Sequence, residues 1–353
     1  EIKKGGHGGL AYKGDEPASF RVWSIELARP EAMEAIQQRA TAMREDGEWM
    51  IEKTYGLFVH WSTLSSNIDG TQRPYEEAVN LFDVEAFADM VEQTGAAWLI
   101  LTTTHGKHNF AAPIQAIDQV LPGYTTRRDL IMEIADALEK RSIRLMLYYH
   151  IGLDNNAWPE AVGYYDADKS RWFENIITIH REIAERYGEK TWGWFFDDGH
   201  KWYYPCDFPW ERYYESIKTG NAKRLVAFNP GTRPSVTPFG DLLASDNGSN
   251  LRPPMSKRYF DEQGDYAGLL QHFSFTLEPA WTLKQQQQIR DPGFPKPVHD
   301  TEELIGYVRT CQAARVPVTM NILITQDVTR EKPFVNKETL EQMGQVRRAI
   351  RSI

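Results

Sequence analysis

Short runs of apolar residues recur along the chain, separated by stretches with helical periodicity. The first four runs are YGLFVHW at 55–61, AAWLILTTTH at 96–105, IRLMLYYH at 143–150 and TWGWFFDDGH at 191–200. Each is short, rich in aromatic and branched residues and apolar at consecutive positions, as expected of a strand buried on both faces. Four further runs, at 224–231, 239–248, 268–275 and 316–325, fit the same description less cleanly. Between them, Val84, Phe87, Ala88 and Val91 fall on one helical face that Gly95 ends, and Leu130, Ile131, Ile134 and Leu138 mark another. Segments 169–187, 301–314 and 337–351 also read as helices, and a charged helix-like stretch covers 31–53. Strands alternating with helices predict an α/β fold with a parallel sheet covered on both sides. Eight such units fit a (β/α)8 TIM-like barrel over 51–353, with 1–50 as an N-terminal extension and helix packed on it. A doubly wound open sheet is the alternative.

In a barrel, the site lies where the strands end, so the residues closing each run carry the information. The runs end in His60 and Trp61; His105, with Lys107 and His108 behind; Tyr148, Tyr149 and His150; and Asp197, Asp198 and His200. The later ones bring Asn229 with Arg233 beyond, Asp241 leading to Asp246 and Asn247, His272 followed by Glu278, and Asn321. Five of the nine histidines, His60, His105, His108, His150 and His200, thus sit at or just past the ends of runs on one rim, which predicts a polar, aromatic-lined pocket.

Two chemistries suit such a rim. Histidine and aspartate at strand ends can hold a metal for hydrolysis. Two carboxyl groups in a hydroxyl-gripping pocket can cleave a glycosidic bond. The first run lacks a His-x-His pair, no HExxH occurs, and the HxxH spacing of His105 and His108 is a weak ligand signal alone. Tryptophan beside histidine favours the sugar, because a ring plane stacks on a pyranose and imidazole bonds its hydroxyls.

These residues also resemble glycoside hydrolase family 29, the α-L-fucosidases. The resemblance runs in order over about residues 50–350: YGLFVHWS, then FDVEAFADMVEQTGAAW, LTTTHGKHNF, LMLYYH, WFFDDG and, last, DTEELIGYVRTCQAARVPVTMNILITQD. It implies a retaining, exo-acting hydrolase with Asp197 as nucleophile, and His60 and His105 on sugar hydroxyls. It also places Trp61 and Tyr149 in the pocket wall, with Arg233 near by. His108, His150 and Trp194 complete the expected sugar-binding set. The sequence departs from the family where the histidine doublet is stretched to His105-Gly106-Lys107-His108 and where VTMNILI replaces a glycine-rich ending, which leaves the sugar open. A β-sandwich after the barrel is not expected.

The acid/base has no fixed motif in the resemblance. Asp246 is the first choice because its strand delivers it to the same rim; Glu278 is the second, and Asp241 and Asp198 follow. Adjacent strand residues face opposite ways, so Asp198 is expected outside as a capping or pairing group. A metal-dependent hydrolase and a non-catalytic carbohydrate-binding relative remain the alternatives. No cofactor and no metal are called for. The net charge of −9 disfavours nucleic acid and anionic membrane as partners, and no apolar run reaches the ~18 residues of a membrane span. The expected partner is an oligosaccharide or glycoconjugate substrate. Two cysteines among 353 residues build no disulfide framework. A first residue other than Met points to a trimmed form and a periplasmic or secreted location, with a cytoplasmic one still open.

Overall fold

Seven of the apolar runs form strands: β1 (Tyr55–Val59), β2 (Trp98–Thr104), β3 (Arg144–His150), β4 (Thr191–Asp197), β5 (Leu225–Phe228), β6 (Phe273–Thr276) and β7 (Val318–Ile322). The computed structural model describes residues 30–151, 157–197, 199, 204, 207–229, 236–254, 268–288 and 293–351. All pairings are parallel, in the order β5-β4-β3-β2-β1-β7-β6.

The gap between β5 and β6 is filled by the run expected as the sixth strand. Its backbone spans both neighbours: Asp241 N donates to Val226 O at 2.8 Å, and Leu243 N to Leu270 O at 2.9 Å. The ladder is irregular because side chains replace carbonyls in it. The Asp241 carboxylate accepts from Val226 N at 2.7 Å, and Ser245 Oγ from Ser274 N at 3.0 Å. Only one parallel bridge, Leu242 to Leu270, forms there. The circle nonetheless closes, and the fold is a (β/α)8 barrel.

Because every strand is covered on both faces, the pleat sorts side chains into two cores. Phe58, Trp98, Met146, Tyr148, Phe195 and Ala227 fill the barrel interior. Leu57, Leu99, Leu147, Tyr149, Trp194 and Phe196 pack outward against the helices. Trp98 needs room inside: a Cβ on Gly56 would lie 2.4 Å from its ring. Its indole N–H donates to Thr319 Oγ1, which also bonds His272 Nε2 at 2.7 Å, so the interior polar groups below the site are paired with one another.

The helices follow their sequence signals. Val84–Thr94 starts on Asp83, whose carboxylate accepts from Ala86 N, and stops at Gly95 with φ 75°. Leu130–Glu139 and Thr301–Ala313 start on Asp129 and Asp300 in the same way. The single helix expected over 31–53 is corrected to two, Pro30–Met43 and Glu48–Lys53. The chain breaks where Glu45 N turns to the Asp241 carboxylate (2.7 Å) and Gly47 takes φ 63°. Among the described residues, no helix is long and apolar enough to cross a membrane.

Candidate active site

The C-terminal ends of the strands converge on a cavity of about 110 Å³ lined by Phe58, His60, His105, Tyr148, Phe195, Asp197, Asn229, Ser245, Asp246, Ser274, Trp281 and Gln285. That is the space of roughly seven to eleven waters, comparable to the heavy-atom count of one pyranose. A larger groove of about 1050 Å³ opens between 67–73 and 325–337. Its acidic groups are already engaged: Asp327 holds Arg73 at 2.9 and 3.1 Å, and Asp69 accepts from Thr71. The smaller cavity is where the strand-end chemistry meets.

Asp197 closes β4 with its side chain half-buried. Tyr148, which pairs with Phe195 two residues below on the neighbouring β3, donates its hydroxyl up to Oδ2 at 2.6 Å, and Asn229, just after β5, donates Nδ2 to Oδ1 at 2.7 Å. Each carboxylate oxygen therefore has one donor, which fixes the group in one orientation. The Tyr148 ring is itself stacked on Phe195 at 5.7 Å.

His60 follows β1 and stacks on Phe58 at 4.5 Å. Its Nδ1 lies 2.8 Å from Asn321 Oδ1. Asn321 donates its own amide to the carbonyls of Trp281 (3.2 Å) and Ala280 (3.5 Å), so its oxygen must accept. His60 thus carries its proton on Nδ1 and offers Nε2 as an acceptor. Burial lowers its pKa to about 3, assisted by neighbouring His105 and opposed by Asn321 and Asp197. The ring is neutral at any ordinary pH. His105 lies 6.0 Å from it, face to face with Tyr148 at 6.1 Å.

Asp246 reaches the rim from the closing segment 241–247 and opens to solvent. Its carboxyl is nonetheless pushed above the ordinary aspartate value. Desolvation on the pocket side contributes most, and Asp197 adds repulsion, against the Gly248 N–H and the Trp281 indole. Asp197 and Asp246 thus share one cavity, and Asp246 is the one held toward its protonated form.

Several expected residues lie elsewhere. Trp61 points outward, packs on Phe82 at 5.0 Å and donates its indole N–H to Gln326 O. Tyr149 packs on His180 at 4.3 Å, and Trp194 donates to Ile217 O; both sit in the outer core. The pleat is the reason: 61, 149 and 194 have the opposite parity to 60, 148 and 197. His108 is buried and stacked on Trp158 at 4.4 Å, so it does not converge on the pocket. His150 lies behind His105, ring to ring at 5.0 Å.

Glu278 is fully buried, accepting from Thr339 Oγ1 at 2.6 Å and Leu323 N at 3.3 Å, which corrects its placement on the rim. Asp241 is likewise consumed by Val226 N, Glu45 N, the Tyr214 hydroxyl and Lys218. Asp198, His200 and Arg233 lie outside the described residues. The lining also includes Trp281 and Gln285, which no strand-end reading reaches because they sit in the loop and short helix after β6.

A family model described as α-L-fucosidase matches residues 74–233, the stretch that carries β2, β3, β4 and β5. Over that stretch the chain is similar to the α-L-fucosidases. Curated relatives include the tissue α-L-fucosidases of Macaca fascicularis and Homo sapiens, 27% and 26% identical, with 29% of this chain and 29% of each relative covered. The chain thus matches less than a third of the length of those relatives. Among solved structures, α-L-fucosidase isoenzyme 1 from Paenibacillus thiaminolyticus superposes with a TM-score of 0.62 at 16% identity, covering 90% of this chain and 76% of that one. The α-L-fucosidase AlfC from Lactobacillus casei gives 0.59 at 16%, covering 86% and 96%. A family 29 α-L-fucosidase from Bacteroides thetaiotaomicron, trapped as a covalent intermediate, gives 0.59 at 15%, covering 87% and 75%. At these identities the likeness establishes the barrel.

Proposed function

We propose that the chain is an exo-acting α-L-fucosidase that cleaves a terminal sugar with retention, using Asp197 as nucleophile and Asp246 as acid/base. The observation that carries this reading is the pair of unlike carboxyl groups on one sugar-sized cavity: Asp197 tethered by two donors, Asp246 with a raised affinity for its proton. In the first step an Asp197 oxygen bonds to the anomeric carbon while that carbon's bond to the glycosidic oxygen breaks. Asp246 gives its proton to the departing oxygen, so the alcohol leaves neutral. In the second step the Asp246 carboxylate takes a proton from water, and the water oxygen displaces Asp197.

The pocket chemistry suits a 6-deoxy sugar. Phe58 and Phe195 give an apolar floor for a methyl group, while His60 Nε2 and His105 face the hydroxyls. The small volume favours a single terminal residue over an internal one. The stacking of His108 on Trp158 argues against a metal pair with His105. Incubation with 2-fluoro-fucosyl fluoride tests the reading. Peptide mass analysis should find one 2-fluorofucosyl group on Asp197; no adduct, or an adduct on another carboxylate, overturns it.

A further inference from the structure

A second cavity, of about 350 Å³, lies at the opposite end of the barrel from the active site. Its walls come from residues at or before the starts of strands: Trp49 and Glu52 in the helix ahead of β1, Ser142 and Arg144 at β3, and Trp192 at β4. The volume falls within the ~300–1,000 Å³ of small-molecule sites.

Arg144 sets the chemistry of this cavity. Its guanidinium lies over the Trp192 ring at 3.6 Å and over the Trp49 ring at 4.5 Å, and the two indoles meet edge to face at 6.0 Å. Stacking holds the cation in place but uses none of its N–H donors. Among the described residues the guanidinium makes no hydrogen bond and no ion pair, and its Nη1 is buried without an acceptor. Trp49 Nε1 is a second buried donor without one. The acids near by do not fill the place. Lys190 holds Glu139 at 3.0 Å, and Glu52 is exposed and forms no ion pair among the described residues. With Lys53 offsetting Glu52, Arg144 is the uncompensated charge of the cavity.

Donors without acceptors favour a ligand that brings acceptors. A carboxylate meets a guanidinium fork with two parallel hydrogen bonds. The remaining lining suits a ring that carries hydroxyls: indole walls for its C–H groups, and the exposed Ser142 hydroxyl and Glu52 carboxylate for its polar edge. We propose that this cavity binds an acidic saccharide, with the sugar's carboxylate on the Arg144 fork and its ring against the indoles. The site shares no residue with the pocket of Asp197 and does not depend on the fucosidase reading.

Isothermal titration calorimetry with the methyl glycosides of D-glucuronic and D-galacturonic acid tests this. Methyl β-D-glucoside and sodium acetate serve as the neutral sugar and the bare anion. At least one uronide should bind about tenfold more tightly than either comparison compound, the gain of a charged hydrogen-bond pair joined to a stacked ring. Arg144→Met should abolish the saturable heat. Arg144→Lys should weaken binding by about tenfold, because a point charge lacks the fork. Urea unfolding checks that each variant stays folded, and where Arg144→Met does not, Arg144→Lys carries the test. If neither uronide binds, or if binding survives unchanged in the folded variants, Arg144 only braces two indoles and the proposal fails. Acetate as tight as the uronides would reduce the site to an anion patch, and glucoside as tight would remove the role of the charge; either result overturns the proposal.

Discussion

Replacing Glu278 by glutamine separates a structural carboxyl from a catalytic one. Burial raises this group from 4.5 to about 7, against the Thr339 hydroxyl and the Leu323 N–H. The folded state therefore binds the proton more tightly than the unfolded chain does. The stability this gives is fully present below pH 4.5 and is lost as pH rises through about 7, beyond which the fold carries a buried charge. With 1.36 kcal/mol for each tenfold in proton affinity, the loss is ~3 kcal/mol. Glutamine mimics the protonated form in shape and keeps an acceptor for Thr339 or Leu323. Urea unfolding should therefore find Glu278→Gln close to the unaltered chain at pH 4.5 and more stable by up to ~3 kcal/mol at pH 8.5. Turnover of an aryl fucoside at pH 6 should change little, because the side chain lies outside the cavity lining. A stability difference that is the same at both pH values would refute the buried-charge argument. A folded Glu278→Gln without activity would make Glu278 the acid and remove Asp246 from that role.

Asp246→Ala should lower kcat/KM for methyl α-L-fucoside by ~10²–10⁴-fold, far more than bond cleavage in the 4-nitrophenyl substrate, and added azide should restore turnover by replacing water. Asn229→Ala leaves Asp197 Oδ1 without its donor; a hydrogen bond to a charged group is worth ~1.5–3 kcal/mol, so single-turnover rates should fall roughly 10- to 150-fold at unchanged Tm. Arg224 is fully buried and donates to carbonyls of Thr191, Ile217, Thr219, Ala184 and Gly188. Arg224→Met strands those acceptors and should cost at least ~3 kcal/mol in urea unfolding, since each unmet buried group costs about 1–3 kcal/mol.

The barrel was legible because its first strands carry long runs of apolar residues at consecutive positions. Such runs have one stable environment, between two layers, and alternation with helices then dictates parallel pairing. Legibility fell where side chains do backbone work. The segment 241–247 reads as a weak strand because Asp241 and Ser245 stand at core positions, and those same side chains take over the ladder bonds of Val226 and Ser274. The break in 31–53 was similarly hidden: it depends on the distant Asp241 accepting from Glu45 N, a partner no local pattern reveals. Trp281 was beyond reach for a different reason. It sits in a loop, where neither period 2 nor period 3.6 says which way a side chain faces.

Within the strands, the alternation of side chains carries the decisive information. Parity assigned Asp197 inward and Asp198 outward, yet the same rule forbids Trp194 and Asp197 from sharing a face, since they are three positions apart. It instead selects Phe195, two positions back, which lies on the cavity floor, and Gly193 below it, where a Cβ would meet Met146 at 2.4 Å. Applied to β3, the rule exchanges Tyr149 for Tyr148, the donor to Asp197 Oδ2; after β1 it keeps His60 and removes Trp61. A motif names the strand end, but the pleat decides which of two adjacent residues can reach the substrate. In a barrel where both faces are apolar and aromatic, residue type cannot make that choice, and counting back by twos from the one carboxylate that must face inward does.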